Sequence, residues 1–242
     1  YTVENLTEKT GHTYLAFYSV SNYEQFNISA PIYIKGTNEA GQGIWNVGMD
    51  SYSGYHYRSK LIFDGTADNI VEGKLYYDTQ KIYGYWYSSY PGENGVVFGE
   101  YYRLVDADPS NPTTLELTGG SLTMNGQNTF SGGYKSVNGY TFLGASSILN
   151  DPGDISSGAK SGPLGTGTVT VGPSSTGYYG LSKQGHVTLH NKIEFSTTSS
   201  SYAFYTYRWG EVSDRRKASL TLDSADAITS IATNGYITFG TS

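Results

Sequence analysis

Residues 74–87 constrain the fold more than any other stretch, because two aromatic runs flank a polar tetrapeptide there. Aromatic and β-branched side chains suit the pleated surface of a β-strand, whereas a helix restricts their χ1 rotamers. A loop of four polar residues, 78–81, between two such runs predicts a β-hairpin. We therefore expect strands on both sides of this loop.

The second predicted strand of this hairpin carries large aromatic rings. Successive side chains of a strand point to opposite faces, so Tyr83, Tyr85 and Tyr87 share one face while Ile82 and Trp86 share the other. Either protein covers both faces, or one row of tyrosines is a recognition surface. The sequence leaves this choice open, and it decides what kind of function the chain has.

The rest of the chain also predicts strands rather than helices, and only residues 225–232 would form a short helix. Asn-Gly pairs at 125–126, 138–139 and 234–235 favour hairpin turns, because both residues accept positive φ. We find no fixed period that would indicate a solenoid. The sequence therefore predicts an all-β fold of antiparallel β-barrel or β-sandwich modules with almost no helix. The strands outside the hairpin are predicted at 13–20, 32–35, 44–49, 60–63, 70–77, 96–104, 115–124, 129–134, 135–137, 140–143, 168–171, 187–195, 202–209, 219–222 and 236–239.

A change in composition divides the chain. Residues 1–111 hold 13 acidic and 7 basic side chains and 16 of the 24 tyrosines, whereas residues 112–242 hold 8 acidic and 8 basic side chains. Two prolines and several turn formers lie at 106–112. We predict a Tyr-rich acidic barrel-like module at 1–105, a linker at 106–112, and a Gly/Ser/Thr-rich module at 113–242. Within the second module, residues 150–177 predict a long surface loop or arm with one short strand.

Composition also limits the partners and the compartment. The chain has no cysteine, which excludes disulfides and cysteine-based metal sites. A net charge of −6 and a pI near 5.1 disfavour nucleic acid as a partner, and no apolar run approaches the length of a membrane span. The abundance of Tyr, Gly, Ser and Thr is typical of secreted, cell-surface or virion-surface proteins. We leave open whether identical chains associate.

Aromatic residues are the strongest functional signal. Tyrosine offers contact area at low entropic cost together with a hydroxyl group, sugars stack on such rings, and protein partners use them as hot spots. We predict a non-enzymatic recognition or adhesion module that binds a glycan or a host-surface protein. The predicted ligand-binding residues are Trp45, Tyr52, Tyr55, Tyr57, Tyr85, Trp86, Tyr87, Tyr90 and Trp209.

Two other functions stay open. One is a secreted ligand carrier that holds haem through His56 or through a tyrosine of the pair Tyr178 and Tyr179, since tyrosine can ligate haem iron. The other is a structural subunit of a surface filament or shell, in which the 150–177 arm or a terminal strand completes a neighbour's sheet. We otherwise predict no cofactor and no metal.

Other candidate chemistry has weaker support. His186 and His190 point to the same side of one predicted strand but lie about 13 Å apart, too far to chelate one ion. Carboxylate pairs for glycoside hydrolysis, such as Glu93 with Glu100, occur by chance among 21 acidic residues. Residues 150–154 carry oxygen ligands for Ca²⁺, but an Asx-type turn explains them better. We therefore predict that the protein is not an enzyme.

Overall fold

The structure is a computed structural model. It describes residues 2–4, 14–19, 25–29, 33–35, 44–49, 60–63, 68–72, 74–77, 95–110, 112–117, 121–136, 139–171, 177–182, 185–195, 202–205, 218–225 and 237–240.

Within these residues the chain forms short β-strands and a single turn of 3-10 helix at Ile155–Ser157. The strands, in chain order, are β1 (Thr2–Glu4), β2 (Tyr14–Ser19), β3 (Gln25–Ile28), β4 (Tyr33–Lys35), β5 (Ile44–Met49), β6 (Lys60–Phe63), β7 (Asp68–Glu72), β8 (Lys74–Tyr77), β9 (Gly95–Phe98), β10 (Arg103–Asp106), β11 (Thr114–Leu117), β12 (Ser121–Met124), β13 (Tyr134–Ser136), β14 (Gly139–Leu143), β15 (Ile148–Leu149), β16 (Ala159–Ser161), β17 (Val169–Val171), β18 (Gly177–Leu181), β19 (Gly185–Leu189), β20 (Ile193–Phe195), β21 (Tyr202–Tyr205), β22 (Ala218–Leu222) and β23 (Ile237–Gly240).

Three parallel sheets contain most of these strands. Sheet A has the order β1-β4-β7-β10, sheet B the order β2-β5-β8-β11-β13-β17-β20, and sheet C the order β23-β21-β18-β14-β12-β9-β6-β3. The chain visits A, B and C in turn and then returns to A, so most strands pair with the strand one circuit later. This pairing is that of a parallel β-helix, and we call each circuit a rung.

The predicted antiparallel barrel or sandwich is therefore wrong, although the all-β class with almost no helix is confirmed. The Asn-Gly pair at 125–126 follows β12, which pairs in parallel with β9 and β14. Its turn therefore leads to the next sheet instead of closing a hairpin. Similarly, β13 and β14 were predicted to pair with each other, but β13 lies in sheet B and β14 in sheet C.

The strand pairing of the predicted hairpin at 74–87 is also wrong. Its first strand exists as β8, but β5 and β11 flank β8 on its two sides, and both pair with it in parallel. No edge of β8 is left for the predicted second strand, whose residues 82–87 lie outside the described ones.

Two pairings cross the predicted linker at 106–112, since β8 pairs with β11 and β9 pairs with β12. The linker itself begins at the end of β10, and residues 107–110 are exposed. The Asp106 carboxylate accepts hydrogen bonds from the backbone of Thr113 at 2.8 Å and of Ser131 at 2.9 Å, which ties this loop to the next rung. The division into two modules stays a prediction.

Sheet A is interrupted after β10. Asn128 and Gly162 bridge to each other, and β19 and β22 form a separate parallel pair. Between β15 and β16, which pair in antiparallel fashion, the chain leaves the coil. We call residues 148–161 the arm. Within the stretch 150–177, residues 150–156 are exposed, Leu164 is fully buried, and Val169–Val171 forms β17.

Side chains from all three sides of the coil fill one interior. Leu104, Leu117 and Leu122 come from sheets A, B and C and are almost inaccessible to solvent. Each fully buried leucine stabilises the fold by about 1.5–3 kcal/mol. In sheet C, the Phe63 ring stacks on Phe98 with centroids 5.0 Å apart. Alternation with period two thus points apolar residues inward on strands such as β12, β17 and β20, whose side chains are described.

Candidate functional site

A surface groove crosses three neighbouring rungs at the corner where the strands of sheet C end. Its position follows from the pairing of β9, β12 and β14, because the residues after each of these strands lie side by side. The groove has a volume of about 440 Å³. Its lining residues are Glu100, Tyr101, Arg103, Asn125, Gln127, Gly144 and Ala145.

Backbone hydrogen bonds fix this corner. The amide of Asn125 donates to Phe98 O at 3.0 Å, that of Gly144 to Met124 O at 3.0 Å, and that of Ser182 to Leu143 O at 2.9 Å. These bonds extend the parallel ladder one residue beyond the strands, so the corner keeps the strand spacing of about 4.8 Å per rung. The groove is therefore built on a rigid edge.

Gly144 makes room for a side-chain bridge along this corner. Ser182 Oγ donates a hydrogen bond of 2.5 Å to Asn125 Oδ1, although the two residues belong to rungs on either side of Gly144. A Cβ atom on Gly144 would overlap both side chains. The bridge fixes the Asn125 oxygen, and within the described part of the chain the Asn125 amide nitrogen donates no hydrogen bond. It is a donor available to a ligand.

Gln127 connects the groove to the arm. Its Nε2 donates to Ser146 O at 2.9 Å, just before β15, and its Oε1 accepts from Ser161 Oγ at 2.9 Å, at the end of β16. One amide thus holds both ends of the arm. The groove wall and the root of the arm are consequently one hydrogen-bonded unit.

Tyr101 presents the largest apolar surface in the groove, with 64% of the residue exposed. Its neighbour Tyr102 points inward, is 1% exposed, and lies 5.2 Å from Phe63 between ring centroids. Burial raises the pKa of Tyr102 well above its ordinary value. Because Tyr102 is anchored in the core, the ring of Tyr101 is held at the surface, between the exposed charged residues Glu100 and Arg103.

The predicted aromatic site is almost entirely outside the described residues. Trp45 lies in β5, where its backbone is paired with Tyr77 of β8. The remaining predicted binding residues, which lie outside the described part of the chain, are Tyr52, Tyr55, Tyr57, Tyr85, Trp86, Tyr87, Tyr90 and Trp209. These assignments stay predictions.

Among the candidate haem ligands, Tyr179 is 1% exposed and its ring lies edge-on to Tyr134, with centroids 6.4 Å apart. This side chain is therefore a core residue. His56 lies outside the described residues.

His186 and His190 contact the next rung separately. His186 Nδ1 lies 2.5 Å from Ser219 Oγ, and His190 Nδ1 lies 2.8 Å from Asp223 O and 3.4 Å from Asp223 Oδ2. These contacts link β19 to β22, which contains Ser219, and to Asp223, which directly follows β22. Among the described residues, no group of three or more His, Asp or Glu side chains is placed to hold a metal ion.

The acidic turn at 150–154 is held by its own hydrogen bonds. Asp154 Oδ1 accepts from Ser156 N at 2.9 Å and from Ser156 Oγ at 2.6 Å, which is an Asx-type turn at the start of the 3-10 helix. These bonds hold the pKa of Asp154 below its ordinary value. The Asx-type turn was predicted in preference to a Ca²⁺ site.

Sequence reasoning missed the groove, apart from naming Glu100 as one acid of a chance pair. One signal does mark the corner: a large apolar residue at a strand end is followed by a small or amide residue, as in Met124-Asn125, Leu143-Gly144 and Leu181-Ser182. Without knowledge of the pairing, this signal does not show that the three positions are adjacent.

No helix in the described part of the chain has the length and apolar character needed to cross a lipid bilayer. Searches among protein-family models, curated proteins and solved structures find no match to this chain.

Proposed function

We propose that the protein is a non-enzymatic recognition module outside the cell and that it binds a glycan in the corner groove. The observation that carries this proposal is the exposed ring of Tyr101 on a rigid edge, beside the amide of Asn125. Sugars have apolar ring faces and polar rims, so they are bound by an aromatic face together with amide and charged groups.

The polar groups of the groove support binding rather than hydrolysis. Its described lining contains one carboxylate, Glu100, whereas most glycosidases use a pair of carboxylates that flank the scissile bond. Amides and a guanidinium group recognise hydroxyl groups without carrying out chemistry on them. The groove thus has the composition of a binding site.

The test is a glycan array followed by calorimetry with the wild-type protein and Tyr101→Ala. We expect the substitution to weaken binding about tenfold, because an aromatic contact contributes about 1 kcal/mol beyond its buried area. The unfolding free energy should change by no more than about 0.5 kcal/mol, since Tyr101 is a surface residue. Ile155→Ala is the matched control, because Ile155 is an exposed apolar residue of the arm that does not line the groove.

An array without any bound glycan would contradict the proposal. So would a glycan that binds Tyr101→Ala and the wild type equally well, because that glycan would occupy another surface.

A second candidate function is that of a structural subunit, and the arm is the observation that favours it. The arm exposes Ile148 at 50% and Ile155 at 41% of their surfaces. Exposed apolar side chains on a projecting hairpin suit contact with another subunit. Sedimentation velocity of the wild type and of the double variant Ile148→Ser/Ile155→Ser tests this function, which requires assemblies that the variant loses.

A further inference from the structure

We infer that the groove takes a neutral, unbranched glycan with extended linkages, and that the sugar chain lies parallel to the axis of the coil with one sugar per rung. This inference rests on the proposed function and adds the class and direction of the ligand. It comes from the order of the lining residues along the coil.

The lining residues fall into three consecutive steps. Tyr101 follows β9, Asn125 follows β12, and Gly144 and Ala145 follow β14. Since β9, β12 and β14 are adjacent strands, the rungs that carry these residues are about 4.8 Å apart along the coil axis. Pyranose rings joined through equatorial bonds on opposite sides of the ring advance by nearly the same distance per sugar. An extended glycan therefore matches the rungs in register.

Each step offers a different contact. The first provides the ring of Tyr101 as a stacking surface, and the second provides the Asn125 amide nitrogen, which the bridge from Ser182 keeps in place. The third has Gly144, beside which the Ser182–Asn125 bridge passes, and Ala145, whose side chain is only a methyl group, so this step is open at Ala145. A chain of about three sugars would thus stack on Tyr101, accept a hydrogen bond from Asn125 Nδ2 and then continue along the open step.

The charges of the groove and of the whole chain favour a neutral glycan. Glu100 and Arg103 lie on the same wall, so the charges of the described lining residues sum to zero. The whole chain carries a net charge of −6. A polyanionic glycan would gain no net attraction from these lining charges and would be repelled by the protein as a whole, whereas a neutral glycan would meet no such repulsion.

The experiment measures the affinity of neutral β-1,4-linked oligosaccharides of increasing length by titration calorimetry. We expect the affinity to rise with each sugar up to about three sugars and then to level off, because three rungs line the groove. The α-1,4-linked oligosaccharides of the same lengths are curved rather than extended and should bind at least about tenfold more weakly.

Ala145→Leu tests the direction of the chain, because it fills the open third step while leaving Tyr101 and Asn125 intact. It should reduce the affinity for the trisaccharide to that for the disaccharide and leave the disaccharide unchanged. Thermal unfolding of this variant verifies that it folds, and Ile155→Ala, which lies outside the groove, serves as the control.

The outcomes separate the two levels of the proposal. If glycans bind through Tyr101 but their affinity does not depend on length, or if Ala145→Leu weakens short and long chains equally, the axial arrangement is wrong while the proposed function stands. If α- and β-linked or charged and neutral chains bind equally, the inferred ligand class is wrong. If none of the glycans binds, the proposed function itself fails.

Discussion

Amide side chains occur in two regions of the coil and have different roles there. In the interior, Asn128 is fully buried and both ends of its amide are bonded: Oδ1 accepts from Leu104 N and Nδ2 donates to Pro163 O, each at 2.8 Å. In the groove, Asn125 is partly exposed and has one bonded end. An amide with hydrogen bonds at both ends, such as that of Asn128, holds the backbone in place. An amide with one bonded end, such as that of Asn125, can still bind a ligand.

Asn191 belongs to the interior group. It is 1% exposed, its Nδ2 donates to Gly165 O at 3.1 Å and to Gly167 O at 2.9 Å, and its Oδ1 accepts from Ser147 Oγ at 3.2 Å. Like Asn128, it lies where the chain turns from one sheet to the next and ladder bonds are interrupted. Buried amides thus replace backbone hydrogen bonds at corners of the coil.

The largest effect on stability is expected for Asn128→Leu. Leucine has a similar size but no polar atoms, so it leaves Leu104 N and Pro163 O buried without their partner. Each unsatisfied group costs about 1–3 kcal/mol, and we expect the unfolding free energy to fall by about 2–5 kcal/mol in urea denaturation.

Asn125→Ala is the matched control for this variant in the groove. It should lower the unfolding free energy by about 1 kcal/mol, less than Asn128→Leu does, because it removes one side-chain hydrogen bond rather than two, and it should weaken glycan binding. Equal losses of stability in the two variants would remove the distinction between interior and groove amides.

Gly144→Ala should have the next largest effect. The added methyl group would overlap the side chains of Asn125 and Ser182, so the bridge must break or the corner must move. Overpacking of this kind costs about 1–3 kcal/mol, which a shift of the urea midpoint measures. Ala145→Ser changes the neighbouring residue without touching the bridge and should be nearly neutral. A Gly144→Ala variant with wild-type stability and binding would show that the bridge does not hold the corner.

Sequence patterns located many of the strands, although they missed β1, β3 and β18, and they did not show which strands pair. Leu115 pairs with Tyr134, a difference of 19 in residue number, whereas Lys74 pairs with Thr114, a difference of 40. Such unequal rungs hide the repeat, because the loops between sheets vary in length while the strands stay short. The parallel coil therefore leaves no fixed period in the sequence.

The stretch 187–195 shows what alternation does and does not determine. It predicts one half-buried strand, and the inward residues Val187, Leu189, Asn191, Ile193 and Phe195 are indeed buried. The structure divides the stretch into β19 and β20 around a corner at Asn191. Because inward and outward residues keep alternating through the corner, the pattern cannot show the turn. The groove is unpredictable for the same reason, since it depends on which corners are adjacent.

Two buried tyrosines extend the comparison to hydroxyl groups. Tyr134 OH lies 2.6 Å from Thr141 Oγ1, whereas Tyr102 OH has no hydrogen-bond partner among the described residues. Tyr134→Phe should lower the unfolding free energy by about 1 kcal/mol, because it leaves the buried Thr141 hydroxyl unpaired. Tyr102→Phe should be neutral or stabilising in the same denaturation assay. If Tyr102→Phe lowers the unfolding free energy more than Tyr134→Phe does, the Tyr102 hydroxyl has a hydrogen-bond partner outside the described residues.

Alkaline unfolding gives a second measurement on these tyrosines. Burial raises the pKa of both Tyr102 and Tyr134 above the ordinary value of 10.0. The folded state therefore keeps protons that the unfolded state releases, so the stabilisation is complete below pH 10 and declines as the pH rises further. We expect the urea midpoint to fall above about pH 10, and to fall less steeply in Tyr102→Phe. A midpoint that does not depend on pH up to the unfolding limit would contradict this.

The smallest effect is expected for the exposed carboxylate of Asp154 in the arm. Its hydrogen bonds from Ser156 lower its pKa, so the stabilisation they provide exists above the ordinary value of 3.8 and is lost as the pH falls through the lowered pKa. An NMR titration should give a midpoint below 3.8 in the wild type and closer to it in Ser156→Ala, which removes the hydroxyl donor. The global unfolding free energy should stay the same in this variant, because solvent replaces the lost bond at an exposed turn. A global loss of stability would mean that the arm is coupled to the core as tightly as the buried amides are, and Gln127, which holds both ends of the arm, would be the residue that transmits it.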